Sequence, residues 1–245
     1  MIENIHYIEK GKGNPIILLH GLFGALSNWK SVVNEFSKTN RVIIPKIPLT
    51  TIDVKEANLE SLTEVVKKFI NKMKLNNFIL IGNSLGGHIG LIYTIFNAKK
   101  VKKLILTGSS GLYENSFGGT FPKRGDYDYI NDRVNHTFYN PNILSKRYID
   151  DVFNTLNDNA KCLNIITIAR SAQRNNLAKK LYKISCPTLL VWGLNDTITP
   201  PSVALQFYKL FPLSILDFID KCCHAPMMES PKTFNELIKP FIKDK

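Results

Sequence analysis

Short, largely apolar runs alternate along the chain with longer stretches whose apolar residues recur every three or four positions. Pro15 to Leu19, Arg41 to Ile44, Phe78 to Ile81, Val101 to Leu106, Pro187 to Trp192 and Ser214 to Ile219 read as strands. Runs this apolar suit strands covered on both faces. Ile5 to Glu9 reads as a further strand, followed by the turn Lys10-Gly11-Lys12-Gly13. Between these lie helical patterns. Trp29 to Ser37 is one. Leu59, Leu62, Val65, Val66, Phe69, Ile70 and Met73 share one helical face, with Asn58 as N-cap. Thr199-Pro200 and Ser230-Pro231 each place a capping residue before a proline at a first helical position. After Ser230, residues Phe234, Leu237, Ile238 and Phe241 form a terminal apolar face interrupted by Pro240. Buried strands alternating with helices predict an α/β fold: a mostly parallel central sheet with helices on both faces.

That rhythm breaks between Gly111 and Lys183. The segment is aromatic-rich and polar, and it reads as helices and loops without strands. Lying after one core strand and before the next, it is expected to be a helical cap, residues 111–183, inserted in a core of residues 1–110 and 184–245.

Composition narrows the partners. The formal charge of +12 raises the question of nucleic acid, but 26 of the 32 basic residues are Lys and only 6 are Arg. The lysines are spread out, and no basic block is interleaved with aromatics. Neither a nucleic acid nor a membrane is expected as partner, because no apolar run approaches the ~20 residues that span a bilayer. Cys162, Cys186, Cys222 and Cys223 show neither a C-x-x-C nor a disulfide or zinc spacing, and Met1-Ile2-Glu3-Asn4 has no signal-peptide character. A reducing, cytoplasmic location is expected, with no metal or cofactor.

The chemistry lies in Gly82-Asn83-Ser84-Leu85-Gly86-Gly87, between the strand Phe78 to Ile81 and the apolar run Ile89 to Phe96. Strand, sharp turn and helix with a serine at the tip is the context a G-x-S-x-G nucleophile elbow requires. Ser84 is the candidate nucleophile. The N–H of Leu85, at the helix start, is a candidate oxyanion donor. A serine needs a base, and the base an orienting acid. Asp196 follows the strand ending at Trp192, and His224 follows the strand ending at Ile219. All three candidates lie beyond carboxyl ends of strands, where open parallel sheets build their sites. The second oxyanion donor is expected from His20-Gly21-Leu22-Phe23-Gly24, at the Phe23 amide. His20 reads as a structural hydrogen-bonding residue, and His88 as a packed core residue.

These segments resemble the α/β-hydrolase superfamily: His20 to Gly24, Gly82 to Gly87, Trp192 to Pro200 and His224 to Pro231, in the order Ser84, Asp196, His224. The resemblance covers essentially the whole chain. Within the superfamily it is similar to small capped bacterial esterases and to C–C bond hydrolases of aromatic degradation, which also carry Gly-Asn-Ser before a Leu/Met-Gly-Gly. A Ser rather than Asp nucleophile separates it from haloalkane dehalogenases and epoxide hydrolases. Two departures stand out. Pro45-Lys46-Ile47-Pro48-Leu49 replaces the family's Asp-x-x-Gly-x-Gly loop, and Ala225-Pro226-Met227-Met228 lacks the Trp that C–C hydrolases carry after the histidine. Cys223 stands where a Gly usually precedes the histidine.

The expected function is hydrolysis of a small carboxylic ester or thioester through an acyl-enzyme on Ser84. The alternatives are a C–C bond hydrolase of a vinylogous diketone and a non-catalytic small-ligand receptor. Gly21, Leu22, Asn83, Phe121 and Arg124 are the candidate substrate contacts. Arg124 is chosen because it follows Phe121-Pro122 in a Gly-rich loop that is expected to fold over the elbow, and short acyl chains are expected to be preferred.

Overall fold

The computed structural model describes residues 5–24, 29–115 and 123–243. Seven strands form one sheet: β1 (Tyr7–Lys10), β2 (Pro15–Leu19), β3 (Arg41–Pro45), β4 (Phe78–Asn83), β5 (Val101–Thr107), β6 (Thr188–Gly193) and β7 (Ser214–Ile219). Their order is β1-β3-β2-β4-β5-β6-β7. β1 runs antiparallel to β3, and every other pairing is parallel.

The apolar runs explain the two covered faces. Successive side chains in a strand point to opposite sides. Ile17, Leu19, Ile43, Leu80, Leu104, Leu106, Leu190 and Trp192 enter one core cluster, while Ile16, Leu18, Val42, Ile44, Ile79, Ile81, Ile105, Leu189 and Val191 enter the other. Helices α2 (Leu59–Lys72), α3 (Leu85–Phe96) and α7 (Pro201–Leu210) complete the first core. Helices α1 (Lys30–Phe36) and α9 (Pro231–Lys243) complete the second, together with α8 (Pro226–Glu229) through Met227. As expected, Asn58 caps α2, its side chain accepting the Ser61 N–H.

Between β5 and β6 the chain forms α4 (Tyr127–Asn135), α5 (Lys146–Asn157) and α6 (Asn159–Arg174), with no strand among the described residues. Ser145 and Asp158 cap α5 and α6 through their side chains. Ile130, Val134, Val152, Leu156, Ile165 and Ile168 pack this insertion into the first core.

Two local expectations are corrected. The first strand spans Tyr7–Lys10 rather than Ile5 to Glu9, because it is set by pairing with β3, from Tyr7 opposite Pro45 to Lys10 opposite Val42. Helix α7 starts at Pro201, not Pro200. Thr199 does not cap it, since its hydroxyl and N–H both bond to Asp196. No helix among the described residues is long and apolar enough to cross a membrane.

Candidate active site

Parallel neighbours bring together loops that are distant in sequence. β2 lies beside β4, so the His20–Gly24 loop leaves the sheet next to Ser84. β6 and β7 pair in register as far as Gly193 opposite Ile219, so the loops carrying Asp196 and His224 also leave together. Sheet order alone therefore gathers the candidates at one edge.

Ser84 is the hinge between β4 and α3. Its φ of 52° and ψ of −123° are strained for a residue with a side chain, at a cost of about 1–3 kcal/mol. Three backbone bonds hold it there: its N–H donates to Thr107 O at 3.2 Å, and its carbonyl accepts from His88 at 3.1 Å and from Ser110 at 3.3 Å. The turn fits only because Gly82 and Gly86, two positions to either side, lack side chains. A Cβ on Gly86 would lie 2.3 Å from Leu19 O. Leu85 is the first residue of α3, so its N–H precedes the first intrahelical hydrogen bond.

His224 is aligned by Asp196. Its Nδ1–H donates to Asp196 Oδ2 at 3.0 Å, with Oδ1 at 3.2 Å. The opposite nitrogen, Nε2, is thereby left as the basic one. The buried carboxylate is itself fixed, accepting the Ile198 and Thr199 N–H groups at 2.8 and 2.9 Å and the Thr199 hydroxyl at 2.8 Å. Burial pushes the His224 pKa down, but the Asp196 charge and hydrogen bond, aided by Glu114 and Glu229, outweigh it, so the net shift is upward. The ring packs tightly, since a Cβ on Gly108 would approach its Nδ1 to 3.0 Å.

The backbone around His224 is pinned from three sides. Its N–H donates to Thr137 O at 3.2 Å, and its carbonyl accepts from Asn83 Nδ2 at 3.1 Å. Glu229 takes the Cys223 N–H at 2.8 Å and the Tyr139 N–H at 2.6 Å, tying the loop to the insertion. Cys223 is buried there.

The His20–Gly24 loop is equally constrained. Gly21 O accepts the Gly24 N–H at 3.1 Å and His20 Nδ1–H at 2.9 Å. His20 Nε2 in turn accepts the Ile47 N–H at 3.1 Å, so it bridges to the unusual Pro45-to-Leu49 segment. Burial lowers the His20 pKa, consistent with a neutral ring that donates once and accepts once. Tyr148 of α5 donates to Phe23 O at 3.3 Å, and burial pushes its pKa up to about 12. His88 donates from Nε2 to Asn175 at 3.3 Å, and burial lowers its pKa to about 4.

A cavity of about 120 Å³ lies between this edge and the insertion. Gly21, Leu22, Phe23, Asn83, Ser84, Leu85 and His224 all line it, as do Val134, Phe138, Tyr148 and Val152 from the insertion. Asn83 borders the cavity, but its amide is committed to Thr107 O and His224 O. Phe121 lies outside the described residues. Arg124 is elsewhere: its guanidinium donates to Leu156 O and to Asn159, which ties it to the α5–α6 junction rather than to the cavity. Its charge is better satisfied by a helix-end carbonyl than in an apolar pocket. Arg170 and Arg174 border a separate surface groove with Glu60.

Ser110, Glu114 and Tyr148 line the cavity and are among the wall residues that the sequence does not single out. Ser110 Oγ donates to Glu114. Burial raises the Glu114 pKa, only partly countered by Ser110 and His224. Apart from their position after β5, no sequence signal marks Ser110 and Glu114, and Tyr148 has only the Ser145 cap ahead of it. Among the described residues, no group of three or more His, Cys, Asp or Glu is placed to hold a metal ion.

Comparison with known proteins agrees with this architecture. The family model for the alpha/beta hydrolase fold matches residues 14–139. MGS-MChE2, an alpha/beta hydrolase enzyme from a lagoon-sediment metagenome of Mar Chica, Morocco, is 38% identical, with a TM-score of 0.80 over 98% of this chain and 94% of that one. An esterase from Exiguobacterium antarcticum is 19% identical, with a TM-score of 0.83 over 98% of this chain and 96% of its own. The 2-hydroxy-6-oxo-6-(2'-aminophenyl)hexa-2,4-dienoic acid hydrolase of Metapseudomonas resinovorans is 27% identical over 96% of this chain and 86% of its own. The chain belongs to the alpha/beta hydrolase fold family and is an α/β-fold hydrolase.

Proposed function

We propose that the protein hydrolyses a small carboxylic ester or thioester through an acyl-enzyme on Ser84, with residues 111–183 acting as its cap. The observation that carries this reading is His224, hydrogen-bonded to the buried Asp196 at 3.0 Å and lining the same cavity as a strained Ser84. Ser84 Oγ attacks the carbonyl carbon while its proton passes to His224 Nε2. The C=O electrons move onto oxygen, where the Leu85 and Phe23 N–H groups receive the oxyanion; such a donor commonly contributes about 3 kcal/mol. Asp196 holds the ring's tautomer and stabilises the imidazolium. Collapse expels the alcohol or thiol, which takes the proton from His224. Water, deprotonated by the same ring, then releases the acid and restores Ser84.

The second reading, C–C bond hydrolysis, is favoured by curated relatives named as hydrolases of oxo-dienoic acids. Such a substrate brings a carboxylate, whereas the cavity wall offers Glu114 and no Lys or Arg among its described residues. The ester reading therefore stands first. The cytoplasmic location rests on the sequence alone, on cysteines without a disulfide spacing.

A fluorophosphonate probe followed by peptide mapping tests the reading. Labelling at Ser84 is expected, and Ser84→Ala is expected to fold normally while losing about 10³-fold or more in kcat on p-nitrophenyl esters. Near wild-type turnover by folded Ser84→Ala would overturn it.

A further inference from the structure

The cavity wall carries one carboxyl group that the hydrolytic mechanism does not use. Glu114 lies in the segment after β5, and this segment is anchored on both sides. Gly111 O accepts the Leu177 N–H at 2.8 Å, and Leu112 O accepts the Asn176 amide at 3.1 Å. Asn115 donates its N–H to Ile198 O at 2.7 Å and its side chain to Thr197 O at 2.8 Å. Glu114 is thus placed by the β6 loop that carries Asp196 and by the segment following α6. Ser110, which supports the Ser84 carbonyl through its N–H, turns its hydroxyl onto the Glu114 carboxyl.

The other polar groups of the wall are largely committed. Asn83 serves Thr107 and His224, Thr137 donates to Val134 O, and Asn115 serves Thr197. The described lining otherwise consists mostly of small and apolar residues. It contains no Lys or Arg, and the sequence of residues 25–28 and 116–122 contains none either. In a chain of net charge +12, the cavity is a local exception with a carboxyl group beside His224.

We infer that Glu114 is a specificity-determining residue that makes this cavity select substrates bearing an ammonium or hydrogen-bond-donating group and reject anionic ones. The inference rests on the ester-hydrolase reading for its reaction, but not for its binding preference. An acyl group with a carboxylate would sit against Glu114 in a small, mostly apolar space, where like charges are poorly screened. An ammonium group would instead offset the desolvation of this carboxyl group, which Ser110 and His224 counter only in part.

Two measurements separate the binding preference from the reaction. In Ser84→Ala, which lacks the proposed nucleophile, calorimetric titration at low salt is expected to show n-butylammonium binding at least about 10-fold tighter than butyrate. Adding Glu114→Gln, which preserves the acceptor for Ser110, should abolish that difference, while Glu114→Asp should keep its direction. Equal affinities, or a difference unchanged by Glu114→Gln, overturn the inference. In the active protein, p-nitrophenyl butyrate, its 4-amino derivative and the hemisuccinate ester give kcat/KM ratios. The amino-to-hemisuccinate ratio should fall about 10-fold or more in Glu114→Gln, and an unchanged ratio counts against the inference. If the binding preference follows Glu114 but no ester is cleaved, the reaction reading fails and the role of Glu114 stands. If esters are cleaved without charge preference, the reverse holds.

Discussion

His224 is held between opposing influences. Burial disfavours its charged form, while Asp196 at 3.0 Å and the nearby Glu114 favour it, and the balance lies above the ordinary value of 6.5. As the proposed base, His224 must be neutral to accept the Ser84 proton, so activity should be lost as pH falls through this raised pKa. A plot of kcat/KM against pH is therefore expected to show its acid limb above 6.5. Asp196→Asn removes the largest upward influence and the tautomer-fixing acceptor, so the limb should move down and kcat should fall by about 10³–10⁴. An acid limb below the free-histidine value in the unmodified protein would contradict this account. Ser84, Asp196 and His224 are legible in the sequence because each is marked locally: a serine between two glycines at a strand-to-helix turn, and an acid and a histidine each just beyond a strand. Arg124 is not, for the opposite reason. A cation in a Gly-rich loop has no intrinsic direction, and its hydrogen bonds are made 32 and 35 positions away, at Leu156 and Asn159.

Helix α3 meets the sheet so closely that its first turn tolerates no added methyl. At Gly86 a Cβ would lie 2.3 Å from Leu19 O and 2.7 Å from His20 O, both rigid backbone atoms. At Gly90, one turn further on, it would meet only side chains, the nearest being Leu80 at 3.3 Å. Gly86→Ala is therefore expected to destabilise by about 1–3 kcal/mol, and Gly90→Ala by distinctly less, as read from urea midpoints. Gly86→Ala should also depress turnover, because displacing α3 moves the Leu85 N–H. Equal midpoints for the two variants would show that α3 can slide away from β2. Strand β1 and helix α7 show why element boundaries are less legible than the elements themselves. Each boundary is decided by a partner rather than by local preference: β3 for the strand, and Asp196 for the Thr199 groups expected to cap the helix.

Between them, the sheet and the insertion enclose a cavity of about 120 Å³, walled by Val134, Phe138, Tyr148 and Val152 opposite Ser84. A space this small should accept short acyl chains and exclude long ones. Across p-nitrophenyl esters from acetate to laurate, kcat/KM is expected to peak at about 2–6 carbons. A maximum at dodecanoyl would mean that the insertion swings away from the sheet edge to admit substrate. The insertion is also tied to the candidate site, since Tyr148 bonds Phe23 O, Thr137 O receives the His224 N–H, and Glu229 is bonded to Tyr139. The insertion thus borders the cavity and is hydrogen-bonded both to the His20–Gly24 loop and to the His224 backbone.

The α/β class, the parallel sheet with two covered faces, the strand-to-helix turn at Ser84 and the chain order Ser84, Asp196, His224 were all determined by the sequence itself. They follow from strand periodicity, turn chemistry and residue type, which act over a few neighbouring residues. Tertiary structure alone decided which side chains face the cavity: Glu114 and Tyr148 inside, Arg124 outside, and Asn83 engaged by the His224 carbonyl. Those placements depend on contacts between segments far apart in the chain, as in the Phe23–Tyr148 contact of the insertion and the Asn83–His224 contact between the end of β4 and the loop after β7. Long-range packing of this kind is a property of the assembled surfaces, and no local pattern in the chain encodes it.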